Sequence, residues 1–261
     1  MIIDFHVHIY PDKVAAKAVE FVAKLGIQTA TNGTRAGLEK SMQAAGIDIA
    51  VGMTVLNNPA NSQAINQFAI DNNYGVLRMF GSVHPAESAP VDTLNFLYDS
   101  GLYGLKVHPE YQQFSFDNPA MFPVWERCIE LNFPVLTHAG ADIAYNAPFH
   151  SDPLRLAKFI ERYPELRFII AHLGSFRMWD DVEEHLLGKN VYLDLAVAAI
   201  ELPPERLLSM IRRHGANRIV LGSDSPWFSQ REMVEKINAL PLTPAEHDAI
   251  FHQNAEELLR R

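Results

Sequence analysis

Residues 1–10 read MIIDFHVHIY, and this stretch decides which fold the chain is expected to adopt. Its apolar residues alternate with polar ones, which predicts a buried β-strand. Because successive side chains of a strand point to opposite faces, Asp4, His6 and His8 are expected to share one face. Two histidines at this spacing can bind one divalent metal ion, although the pair alone is a weak signal in a chain with 11 histidines.

Outward from this stretch, the chain repeats a strand followed by a helix. Apolar segments predict seven further strands, at residues 47–56, 76–85, 102–109, 133–140, 166–174, 190–197 and 218–224. Helical periodicity separates them, for example in residues 12–24 and 204–214, and Asn254 is expected to cap a last helix. Eight such units predict a single α/β domain over residues 1–261, a (β/α)8 TIM barrel, with an open doubly wound sheet as the alternative.

Composition narrows the class of function. The formal net charge of −9 disfavours a nucleic-acid or anionic-membrane surface, so the expected partner is a small molecule. No apolar run approaches the length of a membrane span, and no leader precedes the first strand, which favours a cytoplasmic protein. The single cysteine, Cys128, lies in an apolar helical segment and is expected to be a buried core thiol.

Polar side chains concentrate where the predicted strands end. In a parallel barrel the reactive groups lie at the carboxyl ends of the strands. Those ends carry His6, His8, His84, Lys106, His108, His138, His172 and Asp224. Any one of these histidines alone is well explained as a buried core residue. Six of them converging on one mouth with a carboxylate predict a metal site, since imidazole nitrogen and carboxylate oxygen together suit a borderline divalent ion.

In this arrangement the chain resembles the metallo-dependent hydrolases of the amidohydrolase superfamily. The resemblance rests on His6 and His8, on His138 and His172 after the fifth and sixth strands, and on Asp224 in GSDSPW. It covers the whole chain and is strongest for the branch that includes aminocarboxymuconate-semialdehyde decarboxylase and pyrone-dicarboxylate lactonase. It implies one divalent metal, commonly zinc with manganese as the alternative, bound by His6, His8, His138 and Asp224. It also implies that His172 orients or deprotonates the attacking water and that Asp224 doubles as a proton shuttle.

Other polar residues near the predicted mouth are candidates for binding the substrate. Lys106 is expected to pair with a substrate carboxylate or a polarised carbonyl oxygen. A second role stays open, because the resemblance implies that a lysine on the fourth strand can be carbamylated and bridge a second metal. His84, His108, Arg177 and Trp227 complete the candidates, each with an ordinary alternative as a loop, surface or core residue.

The sequence therefore predicts a metal-dependent hydrolase. A metal-activated water is expected to attack a small anionic or cyclic ester, lactone or amide. The same ligands also serve a lyase, and a metal-dependent decarboxylase or hydratase is the alternative. A barrel that binds a small ligand without catalysis is a third, disfavoured reading, and a homodimer is compatible with all three.

Overall fold

The computed structural model describes residues 1–261 as one parallel eight-stranded sheet surrounded by helices. The strands are β1 (Ile3–Val7), β2 (Ile49–Met53), β3 (Leu77–Gly81), β4 (Gly104–Val107), β5 (Val135–Thr137), β6 (Phe168–Ile170), β7 (Tyr192–Asp194) and β8 (Ile219–Val220). Each strand pairs with the next along the chain. The sheet closes because Phe5 N–H donates to Leu221 O and His8 N–H donates to Ser225 O. The predicted TIM barrel is confirmed.

Helices follow the strands in the predicted order. They are α1 (Asp12–Lys24), α2 (Arg35–Ala45), α3 (Ser62–Asn72), α4 (Pro90–Asp99), α5 (Pro109–Gln112), α6 (Phe122–Glu130), α7 (Pro153–Arg162), α8 (Trp179–His185), α9 (Ala198–Glu201), α10 (Pro204–His214), α11 (Gln230–Asn238), α12 (Pro244–Asp248) and α13 (Asn254–Leu258). The one-turn helices α5 and α9 were not predicted, because a single turn shows no apolar periodicity. None of the helices combines the length and the apolar character needed to cross a membrane.

Two apolar layers hold the barrel together. The inner cluster draws residues from six strands and includes Phe5, Val51, Phe80, Leu136, Ile169 and Val220. The larger cluster lies between the strands and the helices and contains the alternate strand positions, such as Leu105 and Val107. The lower part of the barrel is therefore packed with side chains, which leaves the mouth as the place where polar groups can gather.

The first strand departs from regular alternation. The register between β1 and β2 shifts between Asp4 and Val7. Phe5 consequently lies in the inner cluster, whereas Val7 lies in the outer one. A shift of this kind changes the direction of the side chains that follow it. Phe5 and the next residue, His6, therefore both point towards the barrel axis. The prediction that Asp4 shares a face with the two histidines is wrong.

Asp4 instead links β1 to the segment after β8. Its carboxylate accepts hydrogen bonds from the Ser223 backbone N–H (2.9 Å), the Ser223 hydroxyl (2.6 Å) and the Gln230 side-chain amide (2.7 Å). Complete burial raises the pKa of Asp4 to about 6, against the effect of these hydrogen bonds. The contacts fix the backbone immediately before Asp224, one of the predicted metal ligands.

The tail of the chain corrects a further prediction. Asn254 does not cap a new helix, because residues Ala249–Gln253 form a π-helical turn that continues directly into α13. The Asn254 side-chain amide instead donates to the carbonyl oxygens of Ala216 (2.8 Å) and Ile219 (2.7 Å). It thereby ties the C-terminal helix to the start of β8.

The burial of His214, the last residue of α10, makes the stability of the fold depend on pH. Its Nε2–H donates to Val191 O (2.8 Å), and its Nδ1 accepts from Gly188 N–H (3.3 Å). Burial lowers the pKa of His214 from 6.5 to about 4. Between these two values the unfolded chain binds a proton that the folded chain does not, so stability falls as the pH falls. At pH 4.5 this costs about 2.5 kcal/mol relative to pH 7.5.

Urea unfolding of the wild type and His214→Gln at pH 7.5 and pH 4.5 checks this expectation. The variant should lose about 2.5 kcal/mol less than the wild type on acidification, since it lacks the titrating ring. An equal loss in the two proteins would contradict the assignment, as would an NMR titration of the His214 ring with a midpoint near 6.5.

Candidate metal centre

The ends of the strands bring polar side chains together around one cavity of about 240 Å³. His6 and His8 lie at the end of β1, Lys106 lies within β4, and Asp224 follows β8. Together with His108, His138, His172 and Trp227, these residues line the cavity. Most of the predicted site is therefore assembled at the mouth of the barrel, because all eight strands run in parallel and end on the same side.

His6, His8 and Asp224 form a compact triad. The distance from Asp224 Oδ1 is 3.1 Å to His8 Nε2 and 3.6 Å to His6 Nε2. The three potential ligand atoms lie within 4.8 Å of one another. His6 Nε2 is buried and has no hydrogen-bond partner in the protein. A buried nitrogen of this kind is costly unless something binds it, so the triad fits a divalent cation held by two nitrogens and one oxygen.

The ring of His6 is held in the form that a metal requires. Its Nδ1 lies 2.8 Å from Asp194 Oδ2, so this nitrogen carries the proton and leaves Nε2 with a free electron pair. Burial, followed by the charge of Lys106, lowers the pKa of His6 well below its ordinary value and keeps the ring neutral. His8 Nδ1 likewise faces the carbonyl oxygen of Met53, at 3.2 Å.

Asp194 is a functional residue that the sequence analysis missed. It ends β7, and its second oxygen accepts the backbone N–H groups of His172 (2.8 Å) and Ala196 (3.0 Å). The carboxylate therefore orients the ring of His6, a predicted metal ligand, and fixes the backbone of His172. Its position at the end of the apolar segment NVYLDL was the signal that could have revealed it.

His138 lies in a second group, next to the triad. Its ring stacks on His108 with the centroids 4.2 Å apart, and Asp142 Oδ2 lies 3.6 Å from His108 Nε2 and 4.0 Å from His138 Nε2. His138 Nδ1 also contacts His172 Nε2 at 3.0 Å. The structure thus brings three of the four predicted ligands together, and His138 as a fourth ligand stays a prediction.

Asp142 is a second residue that the sequence analysis missed. It lies in the loop after β5, where no periodic pattern marks it, and it lines the cavity. Burial raises the pKa of its carboxyl group. The mouth therefore contains one carboxylate in the triad and another beside the two stacked imidazoles.

Several site residues have backbone conformations that L-amino acids rarely adopt. The φ angle is 62° at His172, 63° at Val197 and 61° at Asp224. Such conformations cost of order 1–3 kcal/mol each and persist where the surroundings impose them, often at active sites. Here the Asp194 carboxylate holds the backbone of His172, and Asp224 N–H donates to His6 O (2.7 Å).

Two of the predicted substrate-binding residues do not reach the cavity. Arg177 does not line the cavity and forms a two-pronged ion pair with Glu201, at 2.7 and 3.0 Å. His84 folds back onto its own loop, where its Nδ1 accepts from Ala86 N–H (3.1 Å). Neither side chain lines the cavity, because a local partner already satisfies it. Substrate binding by Arg177 and His84 is therefore not supported.

A (β/α)8 barrel with a His-x-His pair on the first strand and an aspartate after the eighth defines a class of metal-dependent enzymes. The family model described as amidohydrolase matches residues 3–261. The chain belongs to the amidohydrolase family, as the sequence resemblance predicted. No curated protein sequence matches the chain at a significant level.

Solved structures with the same fold are only distantly related in sequence. An uncharacterized TIM-barrel protein from Bordetella bronchiseptica has a TM-score of 0.78 and 21% identity, covering 99% of this chain and 98% of that chain. The 5-carboxyvanillate decarboxylase from Sphingomonas paucimobilis has a TM-score of 0.77 and 13% identity, with the same coverage. A dihydroxybenzoic acid decarboxylase from a Polaromonas species, with bound manganese and the inhibitor 2-nitroresorcinol, has a TM-score of 0.74 and 16% identity, covering 99% and 96%.

These neighbours correct the predicted reaction. The sequence analysis favours a hydrolase, whereas the Sphingomonas and Polaromonas structures are both decarboxylases. The prediction of hydrolysis is therefore wrong, and the alternative of a lyase agrees with the comparison. The physical reason for the error is that hydrolases and decarboxylases of this class use the same ligand pattern, so the ligands alone do not identify the bond that breaks.

Proposed function

We propose that this protein is a metal-dependent decarboxylase that acts on a small hydroxylated aromatic carboxylic acid. The observation that carries the proposal is the cavity, in which the triad of His6, His8 and Asp224 opens between apolar and aromatic walls. The walls include Tyr10, Phe21, Phe176, Trp227 and Phe228. Flat aromatic surfaces of this kind suit a planar ring, and the decarboxylase activity named for the similar structures supports the choice of reaction.

His6, His8 and Asp224 are proposed to hold one divalent cation, either manganese or zinc. Three protein ligands leave coordination positions free for a substrate, which is typical of catalytic sites. A bound cation would supply Lewis acidity to the oxygens of the substrate. The manganese named for the Polaromonas structure supports manganese, whereas a donor set rich in imidazole also suits zinc.

The reaction needs one proton for each substrate molecule. The bond between the ring carbon and the carboxyl carbon breaks, CO₂ leaves, and the ring carbon takes up a proton in its place. We assign this proton transfer to His172, whose ring lines the cavity. Its Nδ1 is buried without a partner, and its Nε2 contacts His138 Nδ1 at 3.0 Å. Asp224, which is also proposed to bind the metal, is the second candidate for this one proton transfer.

The second group of residues supports His172. His138 lies between His172 and Asp142: its Nε2 faces Ala141 O at 3.2 Å and lies 4.0 Å from Asp142 Oδ2, so a direct transfer needs a small movement of the ring. The buried carboxyl of Asp142, with its raised pKa, is suited to return a proton towards His172 after each turnover. Phe176, which contacts the His172 ring at a centroid distance of 5.8 Å, helps to keep water out of this path.

A product assay tests the proposed reaction. Metal-loaded protein is incubated in D₂O with a panel of mono- and dihydroxybenzoic acids, and CO₂ is measured together with the deuterium content of the phenolic product. We expect CO₂ release and one deuterium at the carbon that lost the carboxyl group. The variant His6→Ala, purified in parallel, should be inactive and serves as the control for contaminating decarboxylases.

Two outcomes of this assay would overturn the proposal. The first is a metal-loaded wild type that releases no CO₂ from any acid of the panel. The second is turnover in which the carboxyl carbon remains in the product. That the partner is a small molecule and that the chain forms a homodimer are two separate proposals. Light scattering of the purified protein tests the dimer.

A further inference from the structure

Lys106 is a buried charged residue that has no role in the proposed proton transfer. It lies in β4, where the neighbours Leu105 and Val107 belong to the outer apolar cluster, so its side chain points into the barrel. Only 1% of the residue is exposed, and it lines the cavity beside the triad. Its ammonium group makes no salt bridge or side-chain hydrogen bond and interacts only at longer range with Asp224 and Asp194.

Lys106 is also the only lysine or arginine that lines the cavity. Burial lowers the pKa values of His6, His108 and His138 well below the ordinary histidine value, so these rings are neutral. Arg177, the first arginine after His172 in the sequence, pairs with Glu201 and does not line the cavity. Apart from a bound metal, Lys106 is therefore the one lysine or arginine side chain that a ligand in the cavity can contact.

A buried ammonium group without a hydrogen-bond partner is energetically unfavourable. Burial favours its neutral form and lowers the pKa of Lys106 from 10.5 to about 8. A bound anion that reaches the ammonium group compensates for this cost with a charge-assisted hydrogen bond. Away from Lys106 and the proposed metal, the cavity lining is largely apolar and aromatic, and it also carries the carboxyl groups of Asp142 and Asp224. Apart from the metal, Lys106 is thus the place in the lining that favours an anionic group.

We propose that Lys106 binds an anionic oxygen of the substrate and restricts the enzyme to acids that carry a single carboxylate. This inference deepens the proposed function and rests on it for the identity of the reaction. It also predicts a difference from the Sphingomonas neighbour, whose named substrate, 5-carboxyvanillate, carries two carboxylates. Once one carboxylate occupies Lys106, a second would find no other lysine or arginine in the lining and would lie among apolar and aromatic walls.

Calorimetric binding to the manganese-loaded protein tests the proposal without requiring turnover. The probes are benzoate, the uncharged benzamide of the same shape, and the dicarboxylate isophthalate. We expect the wild type to bind benzoate at least about tenfold more tightly than either of the other two, because a charge-assisted hydrogen bond contributes at least this factor. Lys106→Met should lose the preference for benzoate over benzamide, while the metal content stays unchanged.

Arg177→Met is the matched control. It removes a cation of the same region that does not line the cavity, and it should keep the full preference for benzoate. If Lys106→Met fails to fold, Lys106→Gln provides the same comparison with a polar, neutral side chain. Lys106→Met is expected to unfold at a temperature no lower than the wild type, because it replaces a buried charge with an apolar chain of similar length.

The outcomes separate this inference from the proposed function. A lysine variant that keeps the preference for benzoate would overturn the role of Lys106, whatever the enzyme catalyses. Isophthalate binding as tight as that of benzoate would overturn the restriction to one carboxylate. Loss of the preference in the lysine variant, in a protein that releases no CO₂, would support anion binding by Lys106 and reject the decarboxylase.

Discussion

His6→Ala is expected to bind the metal at least about 100-fold more weakly than the wild type and to lose turnover with it. His6 contributes the buried nitrogen of the triad that has no partner in the protein. The substitution removes one of only three ligands that lie within 4.8 Å of one another. Residues that merely orient a ligand already contribute 10- to 100-fold to metal affinity, so a ligand itself should contribute more.

Asp194→Asn provides a graded comparison for this experiment. The asparagine keeps the size of the side chain but removes the charge that holds the proton on His6 Nδ1, at 2.8 Å. We expect a loss of metal affinity of about 10- to 100-fold, smaller than that of His6→Ala. Competition of each protein with a metal-sensitive chelating dye measures both affinities. A His6→Ala variant that retains wild-type affinity would show that the metal is held elsewhere in the mouth.

His138→Gln decides whether the metal has a fourth protein ligand. If the fourth-ligand prediction holds, this variant loses metal affinity to an extent comparable with His6→Ala. If His138 acts only through its contact with His172, at 3.0 Å, the variant keeps its metal and loses rate. The same dye competition distinguishes the two results.

The barrel could be predicted from the sequence because its signals are local and repeated. Each strand is a short apolar segment, each helix has its own periodicity, and parallel strands must end on the same side. This geometry alone places His6, His8, His108, His138 and Asp224 around one mouth. No knowledge of long-range contacts is needed for that step.

The finer arrangement of the site depends on contacts that sequence spacing does not encode. The register shift in β1 separates Asp4 from the histidines, although strict alternation groups them. Asp142 lies in a loop whose conformation depends on its packing. Arg177 pairs with Glu201, 24 positions further along the chain, and therefore does not line the cavity. The reaction was also mispredicted, because a metal-binding pattern specifies where oxygen atoms are polarised and not which bond breaks.

The side chain of Asp194 contacts both groups of residues at the barrel mouth, the metal triad and the group around His138 and His172. One carboxylate orients His6 through Oδ2 and holds the backbone of His172 through Oδ1. The proposed metal ligand His6 and the proposed proton donor His172 are therefore positioned by the same side chain. This common support explains how His172 keeps a φ of 62°, which a residue with a Cβ atom adopts only where its surroundings impose it.

His172→Gln is the second substitution with a large expected effect, and it should lower kcat by about 10²- to 10⁴-fold. Glutamine has a similar length and can still donate a hydrogen bond towards His138 Nδ1, but it cannot exchange a proton at neutral pH. Metal affinity should stay at the wild-type level, because His172 is not part of the triad. The KM should change by less than about threefold, since the substitution removes proton transfer rather than a binding group.

Steady-state CO₂ release, combined with metal analysis, checks these three quantities on one preparation. A kcat within tenfold of the wild type would assign the proton transfer to another residue, of which Asp224 is the first to examine. A variant that loses its metal would instead make His172 a ligand. A loss of rate with full metal content, together with slower deuterium uptake at the ring carbon from D₂O, is the result that the structure predicts. A general structural defect at this strained position is expected instead to disturb the Asp194 contact with the His172 backbone and to weaken the binding of the metal.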